Sequence, residues 1–186
     1  MFGVSNEPEE NYDGAQDAIV WNRMNSAVAT IRAAEAELGA NRHIVTVQGT
    51  REWARDLSYY VTHPITAGNG VNVAYETHVY NGPDDYDSLF INPGKSLPVV
   101  IGEFGPINDP VHKADLADIQ TLMDKAEAAQ IPYLAWTFHQ YCSPNLIADQ
   151  PGVIWSQNTE TDGLGMPHHP TDFGALLKDN LLKHAK

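Results

Sequence analysis

MFGVSNEPEE, residues 1–10, is the stretch from which the rest of the chain is read. Met1, Phe2 and Val4 make a short apolar run that breaks at Asn6, Glu7 and Pro8. That composition is of a buried strand delivering polar side chains at its carboxyl end. Pro8 removes a backbone donor and stops the strand. The pattern predicts a chain that opens inside a core strand, with Asn6 and Glu7 at its polar mouth.

Four further apolar runs follow, starting at Ile44 (IVTV), Val71 (VNVAYETHVY), Pro98 (PVVIGEFG) and Ile131 (IPYLAWTF). Their spacing is close to the roughly 30 residues that one strand and its helix occupy in a β/α barrel. The intervening segments carry helical periodicity. Trp21, Met24, Val28, Ile31 and Leu38 recur on one face before Gly39; residues 113–130 place Leu116, Ile119, Leu122 and Met123 on a stripe; residues 172–184 do the same with Phe173, Leu176, Leu177 and Leu181. A weaker helix is expected over residues 53–60. Residues 140–171 read as a long loop that covers a site or moves. The expected fold is α/β, about five βα units in one domain over residues 1–186, with a flavodoxin-like open parallel sheet as the alternative.

Each run ends in side chains that carry chemistry: Asn6 and Glu7, then His78 and Tyr80, then Glu103, then Trp136. In parallel α/β folds the carboxyl ends of the strands share one rim, so these groups are expected to converge. Two glutamates at one mouth suit glycoside hydrolysis, which needs a proton donor and a nucleophile or base.

FGVSNEP, YETHVY, VVIGEFG and YLAWTF, taken in order, resemble glycoside hydrolase family 5, the cellulase family, among the retaining glycosidases of clan A. The resemblance spans nearly all of the chain. It implies a partial (β/α)8 barrel with Glu7 as general acid/base and Glu103 as nucleophile. Asn6 is then the residue that bonds the sugar 2-hydroxyl. His78 and Tyr80 match the family's His-x-Tyr pair, in which the tyrosine holds the nucleophile and the histidine lies near the acid/base. Trp136 is the implied sugar-stacking platform. The implied activity is that of an endo-β-1,4-glucanase on β-glucan or a related glycan, without a cofactor or metal, in a secreted protein whose export signal lies outside this sequence. The carboxyl groups are expected about 5–5.5 Å apart, with a repelling Glu103 charge keeping Glu7 protonated.

By the same resemblance, residues 2–7 are the fourth strand of eight, and Met1 corresponds to an internal methionine of a longer gene. The first three strands, with an arginine and a His-Asn pair, have no counterpart here. An inner face open to water and two bare edges are then expected. Glu76 shares parity with His78 and points inward, where a charge needs a partner, expected from the absent half. Pairing of two half-barrels in a homodimer or higher oligomer is the expected remedy, with a flattened sheet or a marginally stable monomer as the others.

Composition narrows the partners. At a net charge of −13 and with no Lys/Arg run, nucleic acid and anionic membranes are excluded as expected partners, whereas a neutral polysaccharide is not repelled. Cys142 is the sole cysteine, so an intrachain disulfide is ruled out. Ser5 lacks a Gly-x-Ser-x-Gly elbow, and GNGVN lacks the Lys-Ser/Thr of a phosphate loop. His168 and His169 have no carboxylate partner at helical spacing. Trp53 and Trp155 lie in loops that either extend a glycan cleft or anchor the loop. The readings that compete with an active hydrolase are an inert glycan-binding half-barrel and an oligomerising relic with no ligand.

Overall fold

The computed structural model describes residues 1–110, 112–139, 142–148 and 170–184. Four of the five apolar runs become parallel strands: β1 (Phe2–Gly3), β2 (Val45–Gln48), β3 (Val73–Val79) and β4 (Val99–Phe104), ordered β1-β2-β3-β4. The fifth run is too irregular for a strand but still follows β4 in parallel. Ile101 N–H donates to Pro132 O, Leu134 N–H to Ile101 O and Trp136 N–H to Phe104 O. Between and after the strands lie α1 (Asp17–Glu37), α2 (Ser58–Thr62), a π-helical turn (Asp87–Ile91) running into α3 (Asn92–Gly94), a β5–β6 hairpin (Ile107–Asn108, Lys113–Ala114), α4 (Leu116–Ala128) and α5 (Asp172–His184).

Alternation along the strands separates two faces. Val45, Val47, Val73, Tyr75, Val79, Val99, Ile101 and Phe104 belong to one buried cluster with Val20, Met24 and Val28 of α1 and Ile119, Leu122 and Met123 of α4. Each such side chain contributes about 1.5–3 kcal/mol of burial. The strand order is strictly sequential and these helices share one face. A flavodoxin-like sheet instead reverses its order and is covered on both sides. The architecture is therefore a partial (β/α)8 barrel.

The concave face differs from the expected wet, open surface. Thr46, Gln48 and His78 are buried there. Glu76 takes its partners from this chain: Gln48 Nε2 donates to its Oε1 at 2.9 Å, and His78 Nε2 lies 3.1 Å from the same oxygen. Polar side chains crossing a curled sheet satisfy one another without help from outside.

Helix ends follow local chemistry. Asp115 caps α4 by accepting from Ala117 N and Asp118 N, while Asp118 accepts from Asp115 N. Leu38, expected in the buried stripe of α1, lies just past the helix end and is 79% exposed. On α5 the inward position near the end is Asn180, not Leu181, because the amide donates to Glu127 Oε1 and to Tyr133 Oη. The helix expected over residues 53–60 is replaced by a left-handed turn at Glu52, Trp53 and Ala54 and by α2, whose Ser58 N–H donates to Asp56 Oδ1. Most of the 140–171 loop, including Trp155, His168 and His169, lies outside the described residues.

Candidate active site

A β-bulge sets the site. Pairing of β3 with β4 is regular to Thr77–Ile101 and then jumps to His78–Glu103, passing over Gly102. Without that extra residue Glu103 would share parity with Ile101 and face the helices. The bulge returns Phe104 to the core and turns Glu103 to the concave rim beside His78.

Glu7 arrives from the other side. Its φ of 44° is left-handed, which costs a non-glycine residue about 1–3 kcal/mol. Gln48 holds it there, its Oε1 accepting from Glu7 N–H at 2.6 Å. The segment that follows is docked on the turn after β2: Glu52 N–H donates to Glu10 O at 2.7 Å and Trp53 N–H to Glu9 O at 3.2 Å. Asp17 at the start of α1 ties this turn down, accepting from Asn11, Thr50 and Arg51. Gly49 gives the turn room, since a Cβ there would meet Ala54 O at 2.6 Å.

Glu7, His78 and Glu103 meet around one imidazole nitrogen. His78 Nδ1 is 3.0 Å from Glu7 Oε1 and 3.4 Å from Glu103 Oε2. One atom of each residue lies within 4.8 Å of the other two. Since Nδ1 is shared between both carboxylates, the arrangement reads as a hydrogen-bonded cluster rather than a set of ligands around a centre. Tyr80 Oη donates to Glu103 Oε2 at 3.0 Å.

Burial is the largest influence on Glu103 and raises its pKa, with the Glu7 charge adding to the rise; His78 and Tyr80 pull the other way but do not cancel it. For His78, burial opposes the charged form, yet the carboxylates of Glu76, Glu7 and Glu103 prevail and raise its pKa. Glu76 also suffers burial, but hydrogen bonds led by His78 and Gln48 bring its pKa below the usual value.

The remaining expected residues take these positions. Asn6 is exposed next to Glu7, and its side chain makes no hydrogen bond among the described residues. Trp136 is 38% exposed, its backbone tied to the end of β4. Trp53 donates from its indole to Tyr12 Oη at 3.3 Å, an anchoring contact between two rim loops. Three contributors were not read as site residues from the sequence. Gln48 had a faint signal, a polar end to an apolar run at the inward parity. Glu76 had the parity signal but not its partners. Arg55, 7% exposed, has a buried Nε without a hydrogen-bond partner among the described residues and exerts its charge on Tyr80; it gave no signal, since residues 53–60 read as helix.

Comparison with known proteins adds the following. The family model for cellulase (glycosyl hydrolase family 5) matches residues 1–141. No curated protein matches the sequence. Among solved structures, a β-mannanase from Streptomyces thermolilacinus with mannohexaose is 23% identical with a TM-score of 0.59, over 78% of this chain and 48% of that one. The catalytic domain of a mannanase from Streptomyces sp. SirexAA-E is 25% identical with a TM-score of 0.60, over 80% and 47%. A β-glucanase from Saccharophagus degradans is 20% identical with a TM-score of 0.66, over 89% and 48%. The chain thus spans about half the length of the structures it matches.

Proposed function

The chain belongs to glycosyl hydrolase family 5, and from that premise we propose that it hydrolyses β-glycosidic bonds with retention, on β-1,4-glucan first and mannan as the alternative. The observation that carries the proposal is the approach of Glu7 and Glu103 within 4.8 Å around His78 Nδ1. With one oxygen of each carboxyl inside that limit, the two groups sit closer to the separation of a retaining pair, about 5–5.5 Å, than to that of an inverting one, about 6.5–9.5 Å.

In this mechanism the Glu103 carboxylate attacks the anomeric carbon while Glu7 gives its proton to the leaving oxygen. Tyr80 keeps the attacking oxygen aimed by its hydrogen bond. Formation of the glycosyl ester removes the Glu103 charge. Glu7, now ionised, takes a proton from water, which releases the sugar and restores both groups. Asn6 bonds the 2-hydroxyl, and the part-exposed indole of Trp136 stacks on a pyranose face.

Chromogenic β-cellobioside and β-mannobioside, assayed with wild type and Glu103→Gln, test the reading. Turnover by wild type and its loss in the variant are expected; equal background rates in both would refute it. A 2-deoxy-2-fluoro glycoside is expected to leave a covalent adduct on the peptide bearing Glu103, and turnover without an adduct would point to inversion.

A second reading is glycan binding without turnover, since the part-exposed indole of Trp136 offers a sugar platform whether or not the carboxyl pair acts. Retention on cellulose or mannan with no hydrolysis is its signature. Under either reading, self-association through the open edge is proposed, as a homodimer or higher oligomer.

A further inference from the structure

Glu76 is a part-buried carboxylate for which the hydrolytic steps have no use. It lies behind His78 on the concave face, and the fold makes room for it: a Cβ at Gly102 would come within 2.3 Å of its Oε1 and 2.5 Å of its Cγ. The bulge residue that aims Glu103 is thus also the slot that admits Glu76.

The ring of His78 is enclosed by acceptors. Nδ1 faces Glu7 Oε1 at 3.0 Å and Glu103 Oε2 at 3.4 Å, and Nε2 faces Glu76 Oε1 at 3.1 Å. A neutral imidazole donates from one nitrogen only. Nδ1 would then donate toward the catalytic carboxylates, leaving the Nε2 lone pair against the Glu76 oxygen. Gln48 Nε2, 3.2 Å from that nitrogen, carries two N–H groups; one donates to Glu76 at 2.9 Å and the other can reach the lone pair, but neither relieves the Glu76 oxygen that faces it. The orientation of the amide is fixed, because Gln48 Oε1 accepts from Glu7 N–H. Only the doubly protonated ring meets carboxylates on both sides with N–H groups.

We propose that Glu76 is a positioning residue that acts through His78: it fixes the imidazole between Glu7 and Glu103 and keeps it as a cation that donates from both nitrogens. The proposal rests on the assignment of Glu7 and Glu103 above only for its catalytic consequence. That consequence is electrostatic. Around the ring stand Glu7 from the segment after β1, Gln48 from β2, Glu76 from β3 with Tyr80 just past its end, and Glu103 from β4, with Arg55 acting on Tyr80 from the loop after β2. The carboxyl groups of Glu76, Glu7 and Glu103 share one part-buried cluster, and the imidazolium is the charge that lets Glu103 stay ionised as a nucleophile.

Nitrogen-detected NMR of the His78 ring across pH, in the whole chain, tests this without any need for turnover. In wild type both ring nitrogens are expected to carry protons at neutral pH, and a ring that is neutral there, accepting at Nε2 from Gln48, overturns the proposal. Glu76→Gln, nearly the same shape, is expected to lower the His78 titration midpoint; an unchanged midpoint also overturns it. Gly102→Ala, which displaces the Glu76 carboxylate without removing its charge, is expected to lower it too.

In the glycosidase assay Glu76→Gln is expected to lower kcat roughly 10- to 100-fold, the range for one lost charge-assisted hydrogen bond, with KM little changed. Its kcat/KM profile narrows from the alkaline side, where the limb moves down because His78 gives up its proton earlier; the acid limb does not rise, because the Glu76 charge is one of the influences that raise Glu103 and the variant lacks it. A loss of amplitude with fixed limbs would reduce Glu76 to a structural role. The expected NMR result in a protein without turnover would overturn the hydrolase reading and leave the His78 pairing intact.

Discussion

At Glu103 burial and hydrogen bonding pull in opposite directions, and burial is the stronger. A carboxyl whose folded pKa lies above its unfolded value binds its proton more tightly in the fold. Its contribution to stability is therefore lost as pH rises through the folded pKa. Glu103→Gln is expected to melt higher than wild type near pH 7 and to lose that advantage near pH 4, where the wild-type carboxyl is also neutral; differential scanning calorimetry at the two pH values checks it. Tyr80→Phe removes one of the groups that favour the Glu103 carboxylate. The acid limb of its kcat/KM profile should move to higher pH, and a limb that stays in place would mean that Tyr80 does not hold the nucleophile. Glu7, Glu103, His78 and Tyr80 were legible in the sequence because each stands at the end of an apolar run. Gln48 and Glu76 were not, since their importance depends on which side-chain atoms meet across three strands.

The elements that hold the site tell a similar story. Runs with period-two alternation were readable as strands because the faces they bury are so different. The Asp87–Gly94 helical segment was not, because Pro93 and Gly94 look like breakers and π geometry has no simple repeat. The turn after β2 was hidden for another reason. Three consecutive residues in left-handed conformation, at φ of 51°, 55° and 69°, are imposed by docking and not by propensity. Gly49→Ala should push that turn off β2 and cost about 1–3 kcal/mol, visible as a lower urea midpoint with the same slope. Asp17→Asn breaks its pair with Arg51. The expected cost is about 2 kcal/mol, less than the ~3–5 kcal/mol of a fully buried pair, because the Arg51 side chain stays 30% exposed. Burial opposes the Asp17 charge, but bonds led by that from Arg51 outweigh it and lower its pKa. The stabilisation is thus present above the usual carboxylate range and lost as pH falls through the lowered value, so wild type and variant should converge in acid.

For the molecule as a whole, the sheet has one edge at β1, beside a groove of about 650 Å³ lined by Phe2, Val4, Ala27, Ile31, Ala34 and Leu38. Apolar lining next to free strand hydrogen-bonding groups is a surface prone to pairing. Sedimentation velocity is expected to give a mass above one chain, and Phe2→Asp to shift it toward the monomer with an unchanged far-UV spectrum. A monomer at every concentration would dispose of the proposed association. The succession of βα units was legible from the spacing of five runs and the half-barrel from the resemblance of their motifs, whereas the self-sufficiency of its concave side was not, because parity marks Glu76 as inward without naming what it meets. The separation of the two faces carries one more consequence. Residues that cement the sheet to its helices and residues that build the candidate site occupy opposite sides of the same strands, so a library confined to Gln48, Glu76 and Tyr80 could retune the rim while leaving the cement alone.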